Sequence, residues 1–526
     1  ASVAMNPGGV VTVAVGPHAS PLTATLEPKI AAVGVDQAGG TMTLRALQLG
    51  RAVLQVTDAS GNSLQIPVRV AFNAGSLQRE VSVKVTGTTA DPAFVAARVR
   101  IALANAVALA PGAVATLGTF VPPQMPLAAG SSFAASIPVT IAGGDQYLDV
   151  AADVQLSVQN VITPAFQPTL LYYSDDPERI RSNGVLFRGT LDASHPVRLY
   201  DYHENADASR RLVVTFSAPD NAPASVQVID AAAGPNIDVM SVGHVVSREF
   251  LQAQAQGLGA LLDLIPGQVW TERDVTMNPR DGVAQAIDFN LIGGGPVTIT
   301  VMALAPDADP RTYLAQPVLP GDGKNRGGLF ALGHYGTATI SYDAGAADAT
   351  FTIGDREPTV PNVDPGAGGH DYGDYGVIYD LTFALQNPTN APQTVFLYES
   401  PRGGPVRASY LIDDAPAAVQ LGCATTPATV QAAPNRYLIA AFDLAPGTRQ
   451  AHRVRTMTDG GSNYPIVVGA SIQPPQPAAP PIGAPDGCFP KPAPQGPGPT
   501  PSPTATPTPR SNPLFTSPDR RDLRPF

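Results

Sequence analysis

The chain has 526 residues, which is longer than a single hydrophobic core usually serves and predicts about three to five domains. Its 50 Gly and 55 Pro, with only 14% charged residues, favour many short strands and turns over long helices. A net charge of −11 without a basic stripe argues against a nucleic-acid surface, and no apolar run reaches the roughly 18 residues of a membrane span.

Residues 1–72 contain several short runs in which apolar and polar residues alternate. The clearest runs are residues 10–15, 41–46, 52–56 and 64–70, and Gly and Asn-containing turns separate them. Alternation with period two indicates strands that are buried on one face. The spacing predicts a small β-sandwich over residues 1–72.

Part of this first segment resembles a known family. Residues 32–36, the pair Gly39-Gly40 and residues 49–56 resemble the bacterial immunoglobulin-like domains of surface proteins. The resemblance covers residues 1–72 and no further part of the chain. It implies an immunoglobulin-like sandwich that serves as a spacer or adhesive module, and it implies no chemistry.

Residues 73–165 predict a small α+β module. Asp91 is a good N-cap residue, and Pro92 suits the first helical position. Apolar residues then recur on one face until Pro111-Gly112 stops the pattern, which predicts a helix over 92–110.

The rest of the folded region contains an internal repeat. Residues 212–229 and 380–398 each predict a strand, a Pro and Asn-rich turn and a second strand, with Pro219 and Pro388 offset by 169 positions. A second landmark, Pro-Gly before a strand, recurs at Gly267 and Gly447. We therefore predict two β-sandwich copies, over 166–316 and 317–472, with a helix near 247–262 in the first.

The C-terminal segment, residues 473–526, predicts an extended tail. It contains 18 prolines between Pro474 and Phe526, a density that favours polyproline II over a packed core. Leu514 and Phe515 form its late apolar anchor, and we expect them to dock on a neighbouring molecule. The first residue is Ala1, which we interpret as the start of a mature exported chain or of a shortened one.

The chain has two cysteines, Cys423 and Cys488. In an exported chain an even pair favours a disulfide, which would tie the start of the tail to the last sandwich. The alternative is two unrelated buried thiols.

Carboxylates concentrate in two places. Asp364, Asp371 and Asp374 lie in a Gly-rich loop and could wrap a calcium ion, because Ca²⁺ takes oxygen ligands in tolerant geometry. The alternative is a solvated turn-forming loop. Residues 174–178 form a second acidic cluster, which suits an interdomain calcium or an ordinary turn.

Aromatic residues near these loops could stack on sugar rings. They are Tyr172, Tyr173, Tyr372, Tyr375 and Tyr379, and burial in strands is the alternative. The seven histidines, two of them at residues 200–204 and 334 beside tyrosines, lack zinc-ligand spacing. Hydrolase, Walker and dinucleotide signatures are also missing, so we expect no enzyme.

These patterns predict a mainly β protein of tandem immunoglobulin-like β-sandwiches, one α+β module and a Pro-rich tail. We expect a secreted structural or adhesive protein of the cell surface that self-associates into a filament or surface layer through sheet edges and its tail. The alternative is an array of polysaccharide-binding modules. Calcium is the only cofactor that the sequence suggests.

Overall fold

The computed structural model describes residues 2–324, 326–332, 336–355, 362–363, 369–415, 417–426 and 434–477. Strands make up 54% of the structure and helices 8%, and the strands form several sheets of a β-sandwich architecture. This confirms the predicted mainly β fold class. All described residues belong to one compact unit.

The first seven strands enclose a core of their own. They form two sheets, ordered β1-β7-β6-β3 and β2-β5-β4, and side chains such as Leu44, Leu54 and Val68 fill the space between them. The two sheets lie within the range predicted for the first sandwich; the immunoglobulin-like assignment stays a prediction. The strands are β1 (Val3–Met5), β2 (Val10–Ala14), β3 (Thr23–Glu27), β4 (Ala31–Asp36), β5 (Thr41–Ala46), β6 (Gly50–Thr57) and β7 (Ser63–Val70).

The next segment packs helix α1, Pro92–Asn105, on a mixed sheet, in which β15 pairs antiparallel with β14 and parallel with β9. The Asp91 side chain accepts a hydrogen bond from Phe94 N, as an N-cap does, and Val99 is among the residues buried on the sheet. The strands are β8 (Gly75–Leu77), β9 (Glu80–Thr86), β10 (Thr89–Ala90), β11 (Val107–Leu109), β12 (Val114–Leu117), β13 (Leu127–Ala128), β14 (Ser132–Ala142) and β15 (Val150–Asn160).

Helix α1 is shorter than the predicted helix over 92–110. It ends at Asn105 because β11 follows directly and pairs antiparallel with β8. Strand pairing satisfies the backbone groups of these residues outside the helix. The apolar periodicity of the sequence continued through β11 and did not reveal the change.

The first repeat copy contains ten strands and helix α2, Val239–Gln256. The strands are β16 (Leu170–Ser174), β17 (Arg179–Ile180), β18 (Gly184–Leu191), β19 (Val197–Asn205), β20 (Arg210–Ser217), β21 (Ala224–Asn236), β22 (Gly259–Leu264), β23 (Val269–Met277), β24 (Gly282–Gly294) and β25 (Val297–Leu304). A short 3-10 helix, Pro310–Tyr313, follows them.

Helix α2 begins eight residues before the predicted range of 247–262, at Val239. Asp238 caps it by accepting from Ser241 N, and Gly257 ends it with a left-handed φ of 60°. Residues 259–262 of the predicted helix belong instead to β22, which pairs with β21 and β9.

The second repeat copy forms two sheets, ordered β27-β29-β34-β31-β32 and β28-β35-β30-β33. Strand β26 of this range pairs instead with β16. The strands are β26 (Gly327–Ala331), β27 (Thr337–Asp343), β28 (Ala349–Ile353), β29 (Ile378–Gln386), β30 (Gln393–Pro401), β31 (Val406–Ile412), β32 (Val419–Ala424), β33 (Tyr437–Leu444), β34 (Arg449–Met457) and β35 (Ile466–Ser471).

One sheet of 11 strands joins three of the predicted segments. Its order is β12-β14-β15-β9-β22-β21-β24-β19-β16-β26, and β17 pairs with β19 outside this path. The contact between β9 and β22 crosses the predicted boundary at residue 165, and the contact between β16 and β26 crosses the one at 316. The sheet is therefore continuous across both predicted boundaries. We call it the central sheet.

The two repeat copies share a strand layout. In the first copy β20 pairs with β23 and β21 pairs with β22; in the second, β29 pairs with β34 and β30 with β33. The Pro and Asn-rich turn does not close a hairpin in either copy. It carries the chain from one sheet to the other.

The two sequence landmarks of the repeat contact each other in both copies. Ala218 N donates to Gln268 O at 2.9 Å, and its counterpart Asn387 N donates to Thr448 O at 3.0 Å. Gly267 N and Gly447 N donate back to the facing turn, at 3.0 and 2.8 Å. Both glycines have left-handed φ values, 70° and 71°, which glycine adopts at low cost. The repeated residues thus form one hydrogen-bonded corner in each copy.

We predict that Asn387→Ala destabilises the second copy by about 2 kcal/mol, because the buried Asn387 side chain donates to Ala391 O and Leu444 O and accepts from Thr389 N, and alanine can make none of these bonds. Urea unfolding followed by circular dichroism measures the change. Asn390→Ala, on the exposed tip of the same turn, is the control. Equal midpoints for the two variants would contradict the role of this corner.

Candidate functional site

Three polar segments that are far apart in sequence meet where the central sheet faces the second copy. Strands β16 and β19 lie side by side, with Tyr173 opposite Tyr200 and Ser174 opposite Asp201. A β-bridge joins Arg326 to His370 and brings in the loop at 369–376. We call this assembly the junction cluster; it unites the acidic segment 174–178, the segment 200–204 and the described part of the Gly-rich loop.

Arg326 is a cation of the junction cluster that no sequence pattern indicated. Its guanidinium contacts Glu178 through Nη2 and lies 3.8 Å from Asp175 and 3.6 Å from Asp322. One arginine thus faces three carboxylates. Its role depends on β26 pairing with β16, a contact between residues some 150 positions apart that local patterns do not encode.

Asp175 is buried at 3% exposure and accepts a hydrogen bond from Tyr173 Oη at 2.8 Å. Burial raises the pKa of Asp175 well above its usual range, although Arg326 opposes the shift. His203, on the neighbouring strand β19, has Nε2 2.9 Å from Ser174 Oγ and Nδ1 3.0 Å from Pro177 O. Burial lowers the pKa of His203 to about 4, so this ring is neutral at pH 7.

Two of the three predicted calcium ligands, Asp371 and Asp374, lie among the described residues. Both carboxylates accept hydrogen bonds from nearby residues of the chain. Asp371 Oδ1 accepts from Tyr375 N at 2.8 Å, and Asp374 accepts from Tyr379 Oη. Burial, with help from the neighbouring Asp374, raises the pKa of Asp371 well above its usual range. Asp364 lies outside the described residues. Among the residues that the structure does describe, no group of three or more His, Cys, Asp or Glu is arranged to hold a metal ion.

A second buried network joins helix α2 to the second copy. His244 Nδ1 lies 2.8 Å from Asp459 Oδ2, and Ser409 Oγ lies 3.4 Å from His244 Nε2. This is the connectivity of a nucleophile, a base and an orienting acid. All three side chains are fully buried, and Gln420 Oε1 also approaches His244 Nε2 at 3.3 Å. We therefore interpret the group as a polar packing contact.

Glu399 and Asp201 are buried carboxyl groups near these networks. Glu399 accepts from Tyr410 Oη at 2.6 Å, and burial raises its pKa to about 8. Burial also raises the pKa of Asp201 to about 7, against the opposing charge of Arg273. The protonated forms avoid the cost of burying a charge.

A cavity of about 370 Å³ opens beside the junction cluster. We call this cavity the tyrosine pocket. Tyr375 and Tyr464 meet edge to face in its wall, 5.7 Å between centroids, and Tyr375 Oη donates to Ser462 O. Tyr372 is 48% exposed and stacks on His370. The full lining is Gly354, Asp355, Tyr372, Gly373, Tyr375, Tyr464 and Pro465.

The remaining predicted residues that the structure describes do not line the tyrosine pocket. Tyr172, Tyr173 and Tyr379 are buried in cores, which is the alternative that the sequence left open. Cys423 lies on β32 and is nearly buried, but Cys488, Leu514 and Phe515 lie outside the described residues, so the disulfide and the docking anchor stay predictions. Neither described helix is both long and apolar enough to cross a lipid bilayer.

No family model and no curated protein matches this chain. Solved structures with similar features include Lac15 from a marine microbial metagenome, 9% identical over 88% of this chain and 87% of that one, with a TM-score of 0.12. A second is SGBP-B of the Bacteroides ovatus mixed-linkage glucan utilization locus, in complex with a mixed-linkage heptasaccharide, 11% identical over 55% and 72%, with a TM-score of 0.13. The PBSX exported protein XepA is 11% identical over 55% and 85%, with a TM-score of 0.14. At such TM-scores these similarities carry no argument about this chain.

We predict that the protein loses stability as pH rises from about 6 to about 9. When the pKa of a carboxyl is raised in the folded state, its protonated form contributes stability, and this stability is lost as the pH rises through the folded-state pKa. Glu399, at about 8, and Asp201, at about 7, both act in this direction. Glu399→Gln keeps the acceptor for Tyr410 and removes the titration. We expect it to recover on the order of 3 kcal/mol of the loss.

Thermal melting across this pH range measures the effect, with Glu249→Gln on the exposed face of α2 as the control. If Glu399→Gln and wild-type protein show parallel melting profiles, the assignment of the titration to Glu399 is wrong.

Proposed function

We propose that this chain is a secreted structural or adhesive protein of the cell surface that assembles with copies of itself. The observation that supports it most is the central sheet, which fuses three segments of the chain into one hydrogen-bonded body. A second support is the junction cluster, in which partly buried ion pairs of Arg326 tie the start of the second repeat copy to the acidic segment 174–178. A sheet that continues across three segments suits a protein that must stay folded under mechanical tension.

Sheet edges give the proposed assembly its contact surface. In the first sandwich β2 and β4 each pair with β5 alone among the described strands, so each presents an outer row of backbone N–H and C=O groups. An extended segment of another molecule can add to such an edge. The Pro-rich tail, at about 3.1 Å per residue in polyproline II, has the reach to supply that segment.

We predict that deleting residues 510–526 abolishes assembly, because it removes the apolar anchor that we expect to dock. Leu514→Ala with Phe515→Ala should have the same effect in the full chain. Negative-stain electron microscopy and light scattering measure polymer formation. Thr506→Ala with Thr508→Ala, in the same tail, is the control. Regular polymers from the truncated chain would remove the tail from the proposal.

A second candidate function is binding of a cell-surface polysaccharide in the tyrosine pocket. The observation that favours it is the exposed Tyr372 ring at the edge of a preformed aromatic wall, with the Asp355 carboxylate in the same lining. Aromatic faces stack on sugar rings, and a carboxylate accepts hydrogen bonds from sugar hydroxyls.

We predict that Tyr372→Ala weakens binding of a recognised polysaccharide at least about tenfold, because an aromatic contact of this kind contributes about 1.4 kcal/mol or more. A glycan array identifies the polysaccharide, and isothermal titration calorimetry compares the variants. Phe72→Ala, which removes an exposed aromatic ring outside the pocket, should bind as the wild type does. Unchanged affinity for Tyr372→Ala would exclude the pocket as the binding site.

A further inference from the structure

A cavity of about 180 Å³ opens within the central sheet, between strands β9 and β22. The two strands pair over three residues each, and the pairing ends at Leu261 opposite Lys84. Beyond this point β9 stays paired with β15 as far as Glu80, and β22 stays paired with β21 as far as Leu264. The strands therefore separate while each keeps its outer partner. We call the cavity between them the β9–β22 cleft.

The sides of the β9–β22 cleft are strand edges. Successive side chains of a strand point to opposite faces of its sheet. Residues 80–84 of β9 and 260–263 of β22 nevertheless line the cleft without a break. A cavity that contacts consecutive residues of a strand contacts the edge along which their backbone N–H and C=O groups lie. The cleft therefore exposes backbone groups that can pair with another strand.

A hydrogen bond on the far side of β9 shows which of its backbone groups face the cleft. Arg79 O accepts from Gln155 N at 2.8 Å, so the backbone groups of Arg79 point toward β15. These groups alternate in direction along a strand, so those of Glu80 and Ser82 point toward β22. The register between β9 and β22 includes neither residue. An extended segment in the cleft could pair with them as a new strand.

The rest of the cleft lining contains an apolar surface. Ala102 and Ala106 of helix α1 and Trp270 of β23 supply it. Trp270 Nε1 donates to Glu272 at 2.8 Å, which fixes the indole ring before any segment binds. Aromatic rings pack favourably on one another, edge to face or offset. The cleft thus suits an extended segment that carries an aromatic side chain.

The charged groups of the lining are largely balanced. Arg98 pairs with Glu272, and Lys84 pairs with Asp263. Glu80 is exposed, and the described residues give it no ion pair. The pairing strand itself is therefore expected to be uncharged, with cationic residues beside it, where they would meet Glu80.

We propose that the β9–β22 cleft takes residues 514–517 of a second copy as an added strand, with Phe515 against Trp270. This segment, Leu-Phe-Thr-Ser, contains neither Pro nor Gly, and its four residues match the open edge at 80–83. The other tail run of four or more residues without Pro or Gly, 519–524, carries five charged side chains. The inference rests on the proposed function and adds the acceptor site of the tail to it.

Charge and length favour a second copy as the source of the segment. Residues 510–526 carry four Arg and two Asp in a chain whose net charge is −11, so this end is cationic and the remainder is anionic. Opposite charges favour association between copies. Residues 478–513 would span roughly 110 Å as polyproline II, which is enough to reach a neighbouring molecule.

Trp270 is the single Trp of the chain, so its fluorescence reports directly on the cleft. A synthetic peptide of residues 510–526, which has no Trp or Tyr, is titrated into the full chain carrying Leu514→Ala and Phe515→Ala. The tail of this variant lacks the anchor and does not compete. We expect a saturable shift of the emission to shorter wavelength and weaker quenching by acrylamide, because the peptide excludes water from the indole.

Peptide variants test the anchor without any folding defect. Phe515→Ala in the peptide should weaken binding at least about tenfold, whereas Arg524→Ala, outside the pairing segment, should change it little. Fluorescence polarisation of labelled peptide measures the affinities. Peptide binding that leaves Trp270 emission unchanged would overturn the cleft as the site.

On the cleft side, Ser82→Pro removes the N–H that faces the gap, and Ser82→Ala keeps it as the matched control. We expect the proline variant to bind the peptide at least about tenfold more weakly and the alanine variant to bind as the parent does. Equal affinities for the two variants would overturn the added strand.

A photo-reactive p-benzoylphenylalanine in place of Phe515 in the full chain tests the site even if Ser82→Pro fails to fold. We expect cross-links between two chains that map to residues 80–84, 260–263 or Trp270. Cross-links within a single chain would overturn the assignment to a second copy. Cross-links to other strands would overturn the cleft.

The same experiments separate this inference from the function on which it rests. Polymers that need residues 510–526 but persist in Ser82→Pro would keep the proposed function and overturn the cleft as its site. Peptide binding that shifts Trp270 emission, in a protein that forms no polymers, would overturn the proposed assembly and retain the cleft as a peptide site.

Discussion

The pairing of backbone groups in the central sheet is the constraint on which the rest of the structure depends. Buried N–H and C=O groups must find partners, and an unpaired strand edge finds them in a neighbouring segment. Strand β22 meets β9 in this way, and β26 meets β16. Segments that look separate in sequence are therefore continuous in hydrogen bonding, and the polar residues on the sheet are brought within reach of the second copy.

Burial of charge is the cost of this arrangement, and the structure offsets it in two ways. Arg198 is buried and is paired with Asp288, since an isolated buried charge would be strongly destabilising, and the partly buried Arg326 is paired with Glu178. Glu399 and Asp201 have few partners and instead have raised pKa values, so protonation removes much of the charge near neutral pH. The interior thus contains both fixed ion pairs and groups that respond to pH.

The sequence by itself determined many of the strands, the capped start of α1 and the repeat, because alternation, caps and turn residues act over a few neighbouring positions. It also placed Asp371 and Asp374 in a polar loop. Only the tertiary structure decided that β11 and β22 are strands, that Tyr173 and Tyr379 are buried, and that Arg326 pairs with Glu178 and Asp459 contacts His244. Those outcomes depend on strand pairing and burial between residues far apart in the chain, which no local pattern encodes.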